Sequence, residues 1–187
     1  MQFKRLSIPE VIVITPPKYS DSRGFFSETY NQNSMREMGI DTPFVQDNQS
    51  LSRKKGVVRG LHCQISPYIQ GKLVRCPKGA IWDVAVDARS GSPTYGQWVA
   101  AEISEENWSQ IWIPPGFLHG FVTLTENTEV QYKCTSFYNK SSERAVIWNC
   151  PQLNIPWPVL KEEAILSEKD LLSPSFDQVK DWFAFHG

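Results

Sequence analysis

The stretch Ile113-Pro114-Pro115-Gly116-Phe117-Leu118-His119-Gly120 joins two short apolar runs, at 110–113 and 120–124, and decides the fold. Proline cannot donate to a sheet ladder, and glycine adopts backbone conformations that other residues avoid, so the Pro-Gly pair marks a turn. The stretch therefore predicts a strand, a turn and a second strand. His119 follows the turn and is expected to point into the mouth of a barrel.

The same alternation of short apolar runs and turn residues extends along the chain. Turn signals recur about every 8–12 residues, which is typical of β-sandwiches and barrels. Short helices are predicted at 33–39 and 175–183 from their caps and apolar spacing. With no linker or repeat, residues 1–187 predict one domain, an all-β jelly-roll-like barrel with short peripheral helices. Strands are predicted at 11–14, 25–30, 57–58, 72–75, 81–87, 96–103, 110–113, 120–124, 129–136 and 145–148.

Composition narrows the function classes. The 187 residues include 41% hydrophobic residues, and 19 basic residues nearly balance 20 acidic ones, so no basic surplus favours a nucleic-acid partner. No apolar stretch approaches the roughly 20 residues of a membrane span, and the N-terminus lacks the apolar core of a signal peptide. The cysteines show no C-x-x-C spacing, which predicts four reduced thiols in a cytoplasmic protein.

The P-x-G-x-x-H pattern that ends at His119 resembles the second sequence motif of the cupins, which are small double-sheet jelly rolls. In metal-binding cupins this histidine joins an earlier His-x-His pair and a glutamate. Here the earlier place holds His62-Cys63-Gln64, so Gln64 replaces the second histidine. The next acid, Asp83, lies far beyond the expected spacing. Since stable zinc or iron sites usually need three or four protein ligands, no metal and no cofactor are expected.

Ordered motifs across nearly the whole chain resemble the dTDP-4-dehydrorhamnose 3,5-epimerases, cupin-fold enzymes of deoxysugar biosynthesis. One such motif is Val58-Arg59-Gly60-Leu61-His62-Cys63-Gln64. Each run alone is weak, but their shared order and spacing make the resemblance specific. It implies a nucleotide-linked 4-keto-6-deoxyhexose substrate. The matching runs lie at 21–28, 45–50, 58–64, 70–75, 83–87, 91–96, 112–117, 119–121, 132–135 and 166–170.

The resemblance implies four catalytic residues. His62 matches the base, and Asp170 matches the acid that orients its imidazole. Tyr132 matches the proton donor, and Lys72 matches the lysine near the C4 oxygen, where a cation stabilises an enolate. The alternatives from the residues themselves are a core histidine, a packed tyrosine and a solvated lysine. Asp170 also ends a Ser-x-x-Asp capping box that begins at Ser167, so one residue could serve both purposes.

The resemblance also implies a set of substrate-binding residues. Arginine holds phosphate oxygens with two hydrogen bonds, and aromatic rings stack on bases, although core packing is the alternative for each ring. The expected diphosphate ligands are Arg23 and Arg59, and the expected base or ribose contacts are Glu28, Gln46, Asn48, Tyr19 and Tyr138. Phe121 is expected to wall the sugar pocket, and His119 to polarise the ketone or to hold Asp83.

Several alternatives stay open at this point. Cys63 and the loop 64–70 depart from the family pattern and could alter the sugar pocket. An enzyme that epimerises only C3 or only C5, or that acts on a GDP-linked sugar, would carry the same residue types. A sugar-nucleotide-binding cupin without activity and a metal-dependent cupin isomerase are the rival classes. The resemblance further implies a homodimer with an exchanged N-terminal strand, in which Tyr19 or Arg23 reaches the partner's site.

Overall fold

The computed structural model describes residues 1–179 and 181–185, and strands dominate it. In chain order the strands are β1 (Gln2–Arg5), β2 (Ile12–Thr15), β3 (Tyr19–Asp21), β4 (Gly24–Phe26), β5 (Gln46–Ser52), β6 (Val58–Gln64), β7 (Lys72–Lys78), β8 (Ala80–Asp87), β9 (Arg89–Ser90), β10 (Trp98–Ser104), β11 (Gln110–Ile113), β12 (Phe117–Thr123), β13 (Thr128–Cys134), β14 (Glu143–Ala145) and β15 (Phe183–Ala184). The helical elements are α1 (Gln32–Glu37), α2 (Glu168–Leu171) and a 3-10 turn (Phe176–Val179).

Two antiparallel sheets form a jelly roll, which confirms the predicted cupin-like fold. The larger sheet has the order β1-β2-β11-β7-β13-β5, and the smaller sheet has the order β10-β8-β12-β6-β14. Apolar side chains from both inner faces pack together, among them Val74 and Ile111 from the larger sheet and Ile81 and Phe117 from the smaller one. Burial of this shared cluster holds the two sheets face to face.

The decisive stretch forms the predicted strand, turn and strand. β11 ends at Ile113, Gly116 adopts a left-handed φ of 89°, and β12 begins at Phe117. Two residues into β12, His119 lies directly opposite His62 of β6 in the strand register. The turn therefore places both histidines on neighbouring strands of the smaller sheet.

Paired glycines bring β6 and β12 unusually close beside these histidines. A Cβ atom on Gly60 would lie 2.5 Å from the Cα atom of Gly120, and one on Gly120 would lie 3.0 Å from the Arg59 carbonyl oxygen. Gly60 also has a φ of 139°, which residues other than glycine rarely adopt. Neither position accepts a larger residue without moving a strand that carries a histidine.

The two predicted helices have different outcomes. Helix α1 begins after the cap residue Asn31, whose side chain accepts hydrogen bonds from two backbone N–H groups, so the prediction at 33–39 is confirmed within two residues. The predicted helix at 175–183 is wrong. Only the 3-10 turn forms, Asp181 then takes a φ of 76°, and Phe183 pairs with Arg89 in a short parallel ladder. Lys180, within the predicted helix, lies outside the described residues.

Strand predictions hold best where apolar residues alternate. β8 covers the predicted run 81–87, whereas the predicted strand at 25–30 stops at Phe26 and the one at 145–148 ends at Ala145. The segment beyond β14 instead packs on the outer face of the smaller sheet, where Trp82 meets Trp157. In the described part of the chain, no helix combines the length and the apolar character needed to cross a membrane.

Candidate active site

A cavity of about 410 Å³ lies between the sheets at one end of the jelly roll. Its walls come from strands of both sheets and from the segment that leads into α2. Five strands and one short helix thus bring together residues that are distant in sequence. The predicted site residues that line it are Arg59, His62, Lys72, His119, Phe121, Tyr132 and Asp170.

His62 and Asp170 form a short hydrogen bond within this cavity. His62 Nε2 donates to Asp170 Oδ1 at 2.5 Å, across 108 residues of sequence. The His62 side chain is 27% exposed, whereas that of Asp170 is 6% exposed, so the carboxylate is buried behind an accessible imidazole. Because an ionised carboxylate only accepts hydrogen bonds, this contact places the proton on Nε2 and leaves the Nδ1 lone pair available in the neutral ring.

Helix α2 places Asp170, and the capping box that competed with the catalytic interpretation is present as well. Ser167 Oγ accepts a hydrogen bond from the Asp170 backbone N–H at 3.2 Å and donates one to Asp170 Oδ2 at 2.8 Å. Burial acts to raise the pKa of Asp170, but hydrogen bonds from His62 and Ser167 outweigh it and lower that pKa below 3.8. One residue therefore belongs to the cap and to the histidine pair, and stays ionised near neutral pH.

A second histidine–carboxylate pair lies beside the first. His119 Nε2 donates to Asp83 Oδ2 at 2.9 Å, which fits the expectation that His119 holds Asp83. Both side chains are almost entirely buried, at 8% and 0% exposure. Among the described residues, nothing donates a hydrogen bond to Asp83 Oδ1. This carboxylate thus depends on one imidazole, whereas Asp170 has a second donor.

Lys72 reaches the cavity from the larger sheet as the first residue of β7. Burial lowers the pKa of its ammonium, while the charge of Asp83 acts in the opposite direction. A poorly hydrated cation interacts more strongly with a developing negative charge than a solvated one does. The alternative of a solvated surface lysine is wrong.

Tyr132 lies on β13, next to β7 in the same sheet, and its side chain packs partly against the shared apolar cluster. Burial raises the pKa of its phenol, and Arg59 opposes this only in part. The phenol therefore stays protonated over a wider pH range than an ordinary tyrosine. Tyr132 and Lys72 enter from the larger sheet, and His62 and His119 from the smaller one.

Tyr138 and its neighbours lie just outside the cavity. The Tyr138 ring is 55% exposed, and Gln46 Oε1 accepts a hydrogen bond from the Tyr138 backbone N–H at 2.8 Å. Gln46 Nε2 also donates to Asn48 Oδ1 at 3.1 Å. Ser50, two residues further along β5, lines the cavity. The expected base and ribose contacts on β5 and at Tyr138 are thus adjacent to the cavity.

Three predicted binding residues are not brought to the cavity within one chain. Tyr19 and Arg23 lie on the exposed hairpin of β3 and β4, where Arg23 Nη2 bonds Asp21 Oδ2 at 2.6 Å. Glu28 accepts a hydrogen bond from Asn31 Nδ2 at 3.1 Å, beside the start of α1. These side chains are exposed and do not line the cavity, so their expected roles stay predictions.

Two charged residues at or near the cavity were missing from the sequence predictions. Lys169 lines the cavity, and its Nζ lies 2.5 Å from Glu143 Oε1. Glu143 Oε2 in turn accepts a hydrogen bond from the Tyr138 hydroxyl at 3.1 Å. The position of Lys169 beside Asp170 was an available signal. Glu143 had none, because it meets its partners only through strand β14.

The loop 65–70 does not line the cavity. It packs against the segment that follows β13, with the Ile65 backbone N–H bonding the Ser142 carbonyl and Gln70 Nε2 bonding the Ser136 carbonyl. Departures from the family pattern in this loop therefore bear on the surroundings of Tyr138 rather than on the sugar pocket.

All four cysteines are buried and free. Burial raises the pKa of Cys63 and that of Cys76 to about 12, so these thiols stay protonated. Within residues 1–179 and 181–185, no three histidine, cysteine or acidic side chains are grouped so as to hold a metal ion. The expectation of a metal-free and cofactor-free site stays a prediction.

The fold and the cavity define a class of protein, a jelly-roll enzyme that moves protons on carbon. An accessible imidazole oriented by a carboxylate can remove a proton, a buried ammonium can stabilise the resulting enolate, and a protonated phenol can return a proton. The chain belongs to the dTDP-4-dehydrorhamnose 3,5-epimerase family, whose model matches residues 5–178. It is accordingly an epimerase, a kind of isomerase.

Individual relatives agree with this assignment. A dTDP-4-dehydrorhamnose 3,5-epimerase of Sinorhizobium fredii is 49% identical over 185 residues, covering 99% of this chain and 94% of the relative. That of Pseudomonas aeruginosa is 51% identical over 177 residues, covering 94% and 96%. The crystal structure of the dTDP-6-deoxy-D-glucose-3,5-epimerase of Legionella pneumophila, in complex with dTDP-4-keto-L-rhamnose, has a TM-score of 0.95 at 42% identity, covering 100% and 99%.

Proposed function

We propose that the protein converts dTDP-4-dehydro-6-deoxy-D-glucose to dTDP-4-dehydro-L-rhamnose by inverting C3 and C5. The observation that carries the proposal is one cavity in which the His62–Asp170 pair faces Tyr132 and Lys72 from the opposite sheet. The substrate class follows from the family and from the Legionella relative, whose structure holds dTDP-4-keto-L-rhamnose. The reaction belongs to the synthesis of dTDP-rhamnose or a related deoxysugar.

The first step is proton removal beside the ketone. The C4 carbonyl acidifies the protons on C3 and C5, and His62 Nδ1 takes one of them while Nε2 stays bonded to Asp170. The C–H electron pair forms a carbon–carbon double bond, and the carbonyl π electrons move to oxygen. Asp170 fixes the ring orientation and stabilises the imidazolium that forms.

The enolate oxygen then needs positive charge or hydrogen-bond donors. Lys72 supplies a buried ammonium, and His119, held by Asp83, provides a second polar group in the same cavity. Such preorganised groups act strongly because little water competes with them. Phe121, whose ring lies beside that of His119, narrows the cavity and excludes water from it.

Reprotonation comes from the opposite sheet. Tyr132 donates its hydroxyl proton to the carbon from the face away from His62, which inverts the centre and restores the ketone. Because the pKa of Tyr132 is raised, its hydroxyl stays protonated near neutral pH and can donate. The His62 imidazolium then gives its proton to water, the Tyr132 phenolate takes a proton from water, and the second carbon follows the same steps.

The nucleotide lies at the mouth of the cavity in this proposal. Arg59 is exposed there and positioned for the diphosphate, with Gln46 and Asn48 at the adjoining strand. The exposed Tyr138 ring supplies a stacking surface for the thymine base. These assignments follow the resemblance of the motifs, residue by residue.

We propose a homodimer that completes this site. The β3–β4 hairpin exposes Tyr19, Phe25 and Phe26 at 63%, 54% and 68%, an apolar surface that a second chain would cover. Across such an interface, Tyr19, Arg23 and Glu28 would reach the partner's nucleotide. Light scattering should give twice the mass of one chain, and a monomer at working concentrations would contradict the arrangement.

We further propose that residues 1–187 act as one domain, without a metal or redox cofactor, in the cytoplasm. The chemistry needs no electron acceptor, because the ketone itself activates the protons. Four buried, unpaired thiols fit a reducing compartment. Metal analysis of the purified, active protein tests the cofactor part directly.

Deuterium wash-in tests the main proposal. The protein is incubated with dTDP-4-dehydro-6-deoxy-D-glucose in D2O, and NMR identifies each carbon that exchanges. We expect deuterium at both C3 and C5. Exchange at one carbon alone would indicate a monofunctional epimerase, and no exchange would sink the proposal for this substrate. The same assay with other dTDP- and GDP-linked 4-keto sugars identifies which sugar and which nucleotide the enzyme accepts.

A further inference from the structure

The amide of Gln64 makes three hydrogen bonds to the backbone of neighbouring segments. Its Nε2 group donates to the carbonyl oxygens of Tyr68 at 2.7 Å and Phe137 at 3.1 Å. Its Oε1 atom accepts a hydrogen bond from the Asn139 backbone N–H at 2.7 Å. The residue is only 4% exposed, so these contacts satisfy a buried amide. The segment held in this way carries Tyr138.

Two further glutamines hold the same segment. Gln70 Nε2 donates to the Ser136 carbonyl oxygen at 2.7 Å, and Gln46 Oε1 accepts from the Tyr138 N–H at 2.8 Å. We call Gln46, Gln64 and Gln70 the glutamine cradle. They come from β5, from β6 and from the loop before β7, respectively. Together they bond a backbone group of every residue from 136 to 139.

The cradle explains how an exposed ring is fixed in place. Residues 137–139 belong to no helix or strand, so no backbone ladder holds them. The Tyr138 ring is 55% exposed, and its hydroxyl bonds Glu143. Side-chain amides supply the missing backbone partners. An exposed aromatic ring on a backbone held at four points is preorganised for stacking.

Gln64 also stands where metal-binding cupins carry their second histidine. It shares an interior strand face with His62, two residues earlier on β6. Its amide turns toward the loop backbone at the mouth instead of joining His62 and His119. The position that holds a metal ligand in those cupins here holds the segment that carries Tyr138.

We infer that Gln64 and Gln70 are positioning residues that hold Tyr138 as a platform for the planar base of the nucleotide. The inference rests on the proposed function, since it assumes a dTDP-linked substrate. A ring that is already fixed loses less conformational entropy on binding than a mobile ring does. Loss of the glutamine cradle therefore weakens base stacking. Neither residue touches the reacting carbons, and the chemistry at saturation is unaffected.

Calorimetry with dTDP and with inorganic pyrophosphate separates this role from general damage. Gln64→Met keeps the side-chain length but loses all three contacts. We expect about 10-fold weaker dTDP binding, pyrophosphate affinity within about 2-fold, and a raised KM with kcat within about 2-fold. In a Tyr138→Ala background, Gln64→Met should cause no further loss of dTDP affinity, because the platform is already gone.

Gln152→Met is the matched control. Gln152 also holds a loop, accepting the Asp177 N–H at 3.0 Å, and it lies away from the cavity. It should leave both affinities unchanged. If Gln64→Met does not fold, Gln70→Met, which loses one contact, should weaken dTDP binding about 3-fold.

Several outcomes would overturn the inference. They are unchanged dTDP affinity in the folded variant, an equal loss for dTDP and pyrophosphate, or additive losses with Tyr138→Ala. A wild-type protein that binds no dTDP would overturn the proposed function and this inference together. A wild-type protein that binds dTDP and exchanges deuterium, beside an unaffected variant, would overturn the positioning role alone.

Discussion

The two histidine–carboxylate pairs differ in what surrounds them, although His62 and His119 lie opposite one another on adjacent strands. Asp170 has two side-chain donors and holds an accessible ring. Asp83 has one donor and holds a ring that is almost entirely buried. Accessibility suits proton exchange with substrate and water, whereas burial suits a fixed electrostatic role. The same two residue types thus support different functions in one cavity.

The largest expected effect distinguishes the imidazoles. His62→Asn removes the base and should lower the rate of deuterium exchange by about 10³–10⁴-fold, while dTDP affinity is kept. His119→Asn removes one polar group near the ketone and should cost about 10²-fold. Rapid-quench or NMR exchange assays at saturating substrate measure both. Equal losses of exchange rate in the two variants, or turnover retained by His62→Asn, would contradict the different roles assigned to the two imidazoles.

The carboxylates should differ in the same direction. Asp170→Asn places an amide against His62 Nε2, which favours the wrong tautomer, and kcat should fall by about 10²–10⁴-fold. Asp83→Asn should lower kcat by about 10-fold or less, because His119 does not take the substrate proton. Steady-state kinetics checks both variants, with circular dichroism as the control for folding. A greater loss in Asp83→Asn would reverse the roles of the pairs.

The pH profile gives a smaller but directional test. Tyr132 has a raised pKa and Lys72 a lowered one, so the alkaline limb of kcat/KM should report Lys72 at a pH below its ordinary 10.5. The charge of Asp83 supports the Lys72 ammonium. Asp83→Asn should therefore move this limb to lower pH, and Asp170→Asn should leave it in place. A limb that shifts only in Asp170→Asn would contradict the assignment.

The smallest effect belongs to Ser167. Ser167→Ala removes the helix cap and the second donor to Asp170, and should lower the free energy of unfolding by about 1 kcal/mol with a several-fold loss in kcat. Since the folded pKa of Asp170 lies below 3.8, its ionised contacts stabilise the fold above about pH 4. They are lost as the pH falls through the folded pKa. Denaturation at pH 7 and pH 3 should show a smaller difference at pH 3, and a constant difference would leave only the cap.

The jelly roll was predictable because its signals are local. Turn residues and alternating side chains mark strands such as β8. Asp170 is indicated by two signals, the family motif and the Ser-x-x-Asp capping box. Strand β5, at 46–52, escaped prediction because its sequence, Gln-Asp-Asn-Gln-Ser-Leu-Ser, lacks apolar alternation. Its interior side chains adjoin a polar cavity instead of packing in an apolar core. A strand whose inner face serves a site does not show the usual hydrophobic period.

Contacts between distant segments were beyond the sequence. Glu143 joins Tyr138 to Lys169 only because strand β14 pairs with β6, and its charge alone gives no sign of this. The helix predicted at 175–183 was wrong for a similar reason. Its apolar spacing was real, but Phe176, Val179 and Phe183 are buried by a turn and a short parallel ladder. Periodicity identifies buried residues more reliably than it identifies the element that buries them.

The separation of 108 residues between His62 and Asp170 has a consequence for biosynthesis. Every strand of the two sheets ends by Ala145, so a growing chain holds the whole barrel before the ribosome has added Asp170. His62 is synthesised early and stays without its carboxylate until the last part of translation. A protease cut between β14 and α2 would likewise break the covalent connection between the strand that carries His62 and the helix that carries Asp170. Catalytic competence therefore depends on a part of the chain that contributes no strand to either sheet.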